Sequence, residues 1–280
     1  SDLQKLIAFA RKSFENHDLA ALCLEAERFI DDKVSNWYVR RNRRRFWKAE
    51  QGTDKLAAYQ TLHQVLLTFT KLLAPIMPFL AEKIYRNLVD AGDHSIHLED
   101  YPSPDAKMID EVLSEDMEAL LHLVTLGSAS RNTVKIKVRQ PLAELRVLPG
   151  NDADRRAILR FADQLCEELN LKKASLHDAS AGPLLVPEIK ANAKNLGPRF
   201  GQRLKDVQQA ILKADPLELL KHSQAGAPFQ LVHGAETFDL EPADLFISLK
   251  AQEGWTGVAD RETQVALDTR ITEVLALEGM

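Results

Sequence analysis

Residues 18–48 read DLAALCLEAERFIDDKVSNWYVRRNRRRFWK, and neither proline nor glycine interrupts the chain from there until Gly52. Asp18 is placed to cap a helix. Leu22, Ala26, Phe29, Ile30, Val34, Trp37 and Tyr38 then recur at helical spacing, which predicts a single amphipathic rod. At 1.5 Å per residue, roughly 30 residues would extend about 45 Å. The basic cluster falls in the C-terminal third of this rod, where positive charge also suits the helix dipole. From Lys33 to Lys48 there are seven positive charges and no acid, in a chain whose net charge is −5. Without that stretch the charge would be about −12, so basic character is concentrated in one place.

Working outward, the flanking segments are helical too. Leu3, Leu6, Ile7, Ala10 and Phe14 form an apolar stripe before Asp18. After Gly52, Thr53 or Asp54 is placed to cap a helix carrying Tyr59, Leu62, Leu66, Phe69, Thr70 and Leu73 on one side. Pro75 and Pro78 break it, Met77, Leu80, Ala81, Ile84 and Leu88 continue as a fourth helix, and Gly92 ends that one. Long amphipathic helices with short connections predict an antiparallel bundle.

The polar segment Asp93–Lys107, with Tyr101-Pro102-Ser103-Pro104, reads as a domain boundary. Ile109–Leu126 reads as a further helix, after which the period changes. Val134, Ile136 and Val138 alternate with Lys135, Lys137 and Arg139, predicting a half-buried strand with a basic outer face. Leu145–Leu148 reads as a second strand and Asp154–Leu169 as a helix. Strands are expected near Leu171–Leu176 and Leu184–Lys190, and helices at Arg199–Lys213 and Pro216–His222. Further strands are expected at Phe229–Val232, Thr237–Leu240, Leu245–Leu249 and Gln264–Leu267. The second half is therefore α+β.

The side-chain types of the basic stretch suit single-stranded RNA. Guanidinium groups pair with phosphates in a fork, and flat aromatic rings stack on unpaired bases. On a helical wheel Trp37, Arg40, Arg41 and Arg44 fall on one side, and Arg40, Arg44 and Trp47 share a stripe. Arg43 and Arg45 complete five arginines within six positions, which repel one another unless an anion compensates. The plainer alternative is a solvated arginine face with the tryptophans packed in the bundle, and Trp37 lies on the apolar stripe of its own helix. Lys135, Lys137 and Arg139 read either as the ordinary charge of an exposed strand face or, with Arg199, as an expected second tier of backbone contacts. The segment Gly197-Pro198-Arg199-Phe200-Gly201 reads either as amides at a helix start facing a phosphate or as a simple turn.

Other chemistries find little footing. His94 and His97 have an HxxH spacing with no pattern to complete a metal site. Cys23 and Cys166 form no ligand cluster and read as reduced, buried thiols of a cytosolic protein. There is no Gly-rich nucleotide loop, no Ser/His/Asp grouping and no HExxH. No apolar run approaches the 18–20 or so residues a membrane helix needs. With 45% hydrophobic and 28% charged residues, the composition is that of a soluble globular protein, and 280 residues suggest about two domains. The start at Ser1 has no signal-peptide pattern and no initiator methionine, as in a processed or truncated chain.

Several stretches resemble a known family. Ser35–Trp47, SNWYVRRNRRRFW, closely resembles the anticodon-binding helix of isoleucyl-tRNA synthetases. Leu72–Glu82, LLAPIMPFLAE, is similar to a segment shared more widely by the related class I synthetases for valine, leucine, isoleucine and methionine. Ile136–Leu142 (IKVRQPL), Glu168-Leu169-Asn170 and Leu196–Gly201 (LGPRFG) also look like the isoleucine enzymes, in matching order over nearly the whole chain.

The resemblance implies a C-terminal fragment. A Rossmann catalytic domain binding ATP and Mg, with His-Ile-Gly-His and Lys-Met-Ser-Lys-Ser signatures absent here, would lie upstream, as would an editing domain. The fragment itself would carry no catalytic residue and no cofactor. Its expected partners are isoleucine-specific tRNA and the upstream catalytic domain of the same polypeptide, in the cytoplasm and away from membranes. The end, through Leu267-Asp268-Thr269 and Ile271-Thr272-Glu273, resembles a point where the family continues into another helix. Nothing matches the Cys-rich zinc module that some relatives carry.

The expected architecture is mainly α: a helical-bundle anticodon-binding domain at 1–104, then a smaller α+β C-terminal domain at 105–280. The expected tRNA contacts are Arg40, Arg41, Arg43, Arg44 and Arg45, with Trp37 or Trp47 as stacking platforms. The rival reading is a helical protein-interaction scaffold whose basic patch docks on an acidic partner.

Overall fold

A computed structural model describes residues 1–47, 52–90, 92–178, 180, 182–226, 228–233 and 236–279; the side chains of Arg44, Leu217 and Gln224 fall outside the description. The chain divides into two compact units, Ser1–Ser114 and Glu115–Met280, the second being the longer. A helical unit precedes an α+β unit.

The first unit starts with α1, Asp2–Glu15, which buries Leu6, Ile7 and Ala10. His17 takes a left-handed φ of 60° to turn the chain. The Asp18 carboxylate then accepts the Ala21 amide at 3.0 Å and caps α2, Leu19–Arg28, as the sequence predicts. The rod that follows is not uniform. Phe29–Val39 winds as a π-helix, in which the Arg40 amide reaches back five residues to the Ser35 carbonyl. The chain then turns at Asn42 and resumes as the short α3, Arg43–Trp47. The wheel drawn at 3.6 residues per turn therefore does not hold across Phe29–Val39, whereas α-type bonds from the Asn42 amide to Tyr38 (3.0 Å) and from the Phe46 amide to Asn42 (2.9 Å) run on from there.

Helices α4, Thr53–Leu73, and α5, Pro78–Leu88, complete the bundle. Thr53 is the first residue of α4, not its cap; extended Gly52 precedes it. Helix α5 starts on Pro78, whose missing N–H is no loss at a first helical position. It stops at Leu88, before Gly92. Leu6, Ile7, Ala10, Leu22, Phe29, Val34 and Leu72 form the core, with Phe69 stacked on Phe29 at 5.9 Å. The segment read as a boundary is packed onto this unit. Tyr101 meets the Phe14 ring edge-on at 5.5 Å, and Arg11 donates to the carbonyls of Tyr101 (2.9 Å) and Pro102 (2.7 Å).

Helix α6 runs from Glu111 to Thr133, seven residues past its predicted end. The strand predicted at Val134–Val138 is absent: residues 134–140 form a looped segment in which Lys135 takes φ 57°. Its main-chain oxygens are taken by side chains instead of by a neighbouring strand. The guanidinium of Arg131, 1% exposed, donates to the carbonyls of Lys137 (3.1 Å) and Gln140 (3.0 Å). The Asn170 amide donates to those of Val138 (2.9 Å) and Arg139 (3.0 Å).

Strand β1, Leu142–Leu148, leads through α7, Asp152–Leu169, to β2, Leu171–Leu176, which pairs parallel to it. Asn151 caps α7 at its start, and Asn170 closes it in the left-handed conformation at φ 50°. Next come β3, Val186–Ala191, and α8, Ala193–Phe200. The single helix predicted for Arg199–Lys213 is split, because Gly201 at φ 50° separates α8 from α9, Leu204–Lys213. Helix α10, Pro216–Ala225, precedes β4 (Phe229–His233), β5 (Glu236–Leu240) and β6 (Leu245–Lys250). Strands β7, Trp255–Asp260, and β8, Thr263–Asp268, form a hairpin before α11, Glu273–Glu278. Neither β7 nor α11 is predicted from the sequence.

The main sheet has the order β2-β1-β8-β7, with β3–β6 and β4–β5 as separate antiparallel pairs. One face of the main sheet buries Leu145, Val147, Val265 and Leu267 with Ile158 and Leu165 of α7. A second core gathers α8, α9 and α10 on the smaller strand pairs through Leu196, Val207, Ile211, Phe238 and Leu240.

Candidate nucleic-acid interface

The basic segment is held against α4 by aromatic side chains, Tyr38 and Tyr59 from the stripes read in the sequence and Phe46, which the sequence does not single out. Phe46 is buried against Tyr59, with ring centroids 5.0 Å apart, and against Tyr38 at 6.4 Å. The Tyr38 hydroxyl donates to the Ala58 carbonyl at 3.1 Å, and the Tyr59 hydroxyl to that of Phe46 at 3.3 Å. These contacts anchor both sides of the Asn42 turn, so that the short α3 does not rely on its own five residues for stability.

Two guanidinium–indole pairs flank that turn. Arg41 lies over the Trp37 ring at 5.2 Å, and Arg43 over the Trp47 ring at 5.4 Å. Such pairs contribute about 0.5–1 kcal/mol at exposed sites, and they place positive charge beside an aromatic face. Trp47 is 67% exposed, whereas Trp37 is half-buried. Trp47 thus has open ring surface, and Trp37 lies between core and solvent. Arg40 is exposed, and its Nε donates to the Asn36 carbonyl at 2.9 Å. The Arg44 side chain and Lys48 lie outside the described residues.

Arg45 is engaged in a different way. Its Nε donates to Oδ2 of Asp54 at 2.8 Å and its Nη2 to Oδ1 of the same carboxylate. A further Nη2 bond reaches the Asp54 carbonyl at 3.0 Å, and Nη1 donates to Asn42 Oδ1 at 2.6 Å. Asp54, nine residues on in α4, is thus the carboxylate that pairs with Arg45. Asn42 is the pivot, since its amide also donates to the Tyr38 carbonyl at 2.8 Å.

In the second unit, Lys135, Lys137 and Arg139 are all exposed on the looped segment, without the single face a strand would give them. Arg199 forms an ion pair with the buried Asp244 and donates to the Asp239 carbonyl at 3.0 Å, holding the turn into β6. Gly197 and Pro198 lie inside α8 near its end, so the segment is not an amide nest at a helix start. His94 bonds Glu99 at 2.9 Å. Among the described residues no group of three His, Cys, Asp or Glu is placed to hold a metal ion. Contrary to expectation Cys23 is exposed; Cys166 is half-buried, and burial pushes its thiol pKa up. No described helix is long and apolar enough to cross a membrane.

With this geometry in place, comparison with known proteins gives the class. The family described as the anticodon-binding domain of tRNA ligase matches residues 1–147, and the chain belongs to that family. Among curated proteins, it is similar to the isoleucine–tRNA ligase of Porphyromonas gingivalis, 38% identical over 252 residues, covering 90% of this chain and 22% of that protein. The isoleucine–tRNA ligase of Deinococcus radiodurans is 36% identical over 278 residues, covering 99% of this chain and 25% of the relative. That of Clostridium novyi is 36% identical over 285 residues, covering 100% and 27%. The chain thus spans about a quarter of the length of these relatives.

Proposed function

We propose that the chain is the tRNA-binding region of an isoleucine–tRNA ligase and that it grips the anticodon stem-loop of its tRNA with the Trp37–Trp47 segment. The observation that carries this reading is the pair of guanidinium–indole stacks, Arg41 on Trp37 and Arg43 on Trp47. Each offers a phosphate-binding fork next to a ring on which an unpaired base can stack. In this reading Arg40, Arg41, Arg43 and Arg44 serve the backbone and Trp47 is the stacking platform. Lys135, Lys137 and Arg139 add exposed charge in the second unit.

The whole enzyme would activate isoleucine with ATP and Mg in an upstream catalytic domain and pass it to the tRNA, in the cytoplasm. We assign contact with that domain to the exposed apolar side chains of Phe79, Leu80 and Ile84 on α5 and of Met77 just before it. The test is tRNA binding by the chain over a salt series. Isoleucine tRNA should bind, lose affinity steeply with salt, and outcompete polyanions of matched charge. Charge reversal at Arg43 and Arg44 that left affinity unchanged would sink the site assignment.

A further inference from the structure

The second unit holds a cleft that the basic helix does not account for. It encloses about 120 Å³ beside the main sheet and is lined by Arg146, His177, Pro183, Leu184, Gln252 and Trp255. An apolar cavity of about 150 Å³ accommodates a benzene ring, so this open-mouthed cleft has room for one flat ring. Its walls are of two kinds. Pro183 and Leu184 supply apolar surface. Opposite them the Arg146 guanidinium lies over the Trp255 ring at 4.5 Å, with Arg270 near the same ring at 5.8 Å.

The polar groups at the cleft are largely unspent. Arg146 gives its Nε to Glu144 at 3.2 Å, and its two amino groups take no partner among the described residues. The Trp255 indole N–H and the Gln252 side-chain amide likewise have no partner among the described residues. His177 Nε2 lies 2.7 Å from the Gly182 carbonyl. A carbonyl only accepts, so Nε2 donates and the neutral ring keeps Nδ1 as an acceptor. Arg270 is different, being closed in a fork with Asp268. Unpaired donors and acceptors around a concavity whose walls are about equally polar and apolar suit a small polar ligand.

We infer that this cleft seats a single unstacked pyrimidine nucleotide of the bound RNA. A pyrimidine edge presents carbonyl acceptors beside N–H donors. The cleft answers with the Arg146 and Trp255 donors and the Gln252 and His177 acceptors, and positive charge at Arg146 suits the phosphate. A purine's two fused rings need more room than a pyrimidine's one. The inference rests on the reading of the chain as an RNA-binding module, and its test separates the two.

The sequence contains three tryptophans, Trp37, Trp47 and Trp255, so the full chain gives three indole N–H signals in a ¹⁵N–¹H spectrum, and Trp255→Phe assigns the third. Uridine or cytidine monophosphate should shift the Trp255 signal saturably, and adenosine monophosphate should not. Gln252→Ala, at an exposed position, and Arg146→Lys, which keeps the charge, should each weaken the nucleotide about tenfold. A Trp255 signal unmoved by either pyrimidine nucleotide up to about 10 mM, where even millimolar affinity would saturate, overturns the site. An equal response to the purine overturns the pyrimidine assignment. Saturating tRNA should shift the same signal. If tRNA binds and leaves Trp255 unmoved, the cleft is no RNA subsite; if free nucleotide moves it and tRNA does not bind at all, the cleft stands and the RNA-binding reading falls.

Discussion

The guanidinium of Arg45 in α3 is forked onto the carboxylate of Asp54 in α4, with Nε 2.8 Å from Oδ2. This pairing divides an arginine run that looks uniform in sequence. Arg45 is paired with Asp54, whereas exposed Arg43 is stacked on exposed Trp47 and half-buried Arg41 on half-buried Trp37. Arg45→Ala should therefore cost the fold about 1 kcal/mol or less, as for other exposed ion pairs, and have little direct effect on RNA affinity. A double-mutant cycle with Asp54→Ala, followed by denaturant unfolding, measures the coupling. A larger loss of tRNA affinity for Arg45→Ala than for Arg43→Ala would contradict the division.

Trp47 should behave in the opposite way. Its ring is 67% exposed, so Trp47→Ala should leave thermal stability nearly unchanged. If a base stacks there, tRNA affinity should fall by about 1–3 kcal/mol, with Trp47→Phe recovering part of it. Fluorescence anisotropy on labelled tRNA reads this directly.

Removing Arg41 or Arg43 should act on charge rather than stacking alone. If each neutralises one phosphate, its replacement by alanine should lower the slope of log affinity against log salt by about 1. Titrations at three or more salt concentrations give that slope. An unchanged slope with weakened affinity would assign these arginines to shaping the tryptophans rather than to phosphate.

Acid should loosen the first unit. Hydrogen bonding from Lys71 and then Tyr85 holds Glu99 at a pKa of about 2, and Arg86, Ser95 and the Ile96 amide hold Glu82 at about 2. Both folded values lie below the ordinary 4.5, so the stabilisation is complete above about pH 5 and is lost as pH falls towards 2. Tyr101 has the reverse sign. Burial raises its phenol from 10.0 to about 12, so its contribution is present below pH 10 and is lost as pH rises through 12. Melting curves across pH should show both flanks, and Glu99→Gln should flatten the acid one.

Arg131→Met should destabilise the second unit by about 3 kcal/mol. It abandons the carbonyls of Lys137, Gln140, Leu169 and Asn170 in a nearly sealed site. No described carboxylate pairs with this guanidinium, and burial lowers its pKa. Its counter-charge is the carbonyl end of α7, the negative pole of that helix. The variant should also expose the 134–140 loop to trypsin at Lys135, Lys137 and Arg139, which limited proteolysis would show as early nicking.

Much of this arrangement is legible in the sequence where one short-range rule decides. The Asp18 cap, the bundle helices, β2 at Leu171–Leu176 and the end of α7 at Leu169 follow from caps, periodicity and a left-handed Asn170. The Val-Lys alternation at 134–138 misleads, because a distant buried arginine takes the carbonyls that a strand would need. The π winding at Phe29–Val39 and the Arg45–Asp54 fork depend on packing against α4, which no local pattern records. Strand β7 is hidden by Gly257, a residue unfavourable in strands. It fits there because a Cβ would lie 2.2 Å from Leu185. The basic, aromatic character of the candidate interface is plain in the sequence; which arginines face outward is not.

The side chains of Arg131 and Asn170 fasten the 134–140 loop by its main-chain oxygens, and its last residue, Gln140, donates to the Leu275 carbonyl at 2.7 Å. The exposed side chains of Lys135, Lys137 and Arg139 take no part in these bonds. Positions 135, 137 and 139 can exchange lysine for arginine, or lose charge altogether, while the backbone course remains. Such a loop is a fixed bracket with interchangeable fittings, and the charge that the second unit displays there can drift under selection without disturbing the fold beneath it.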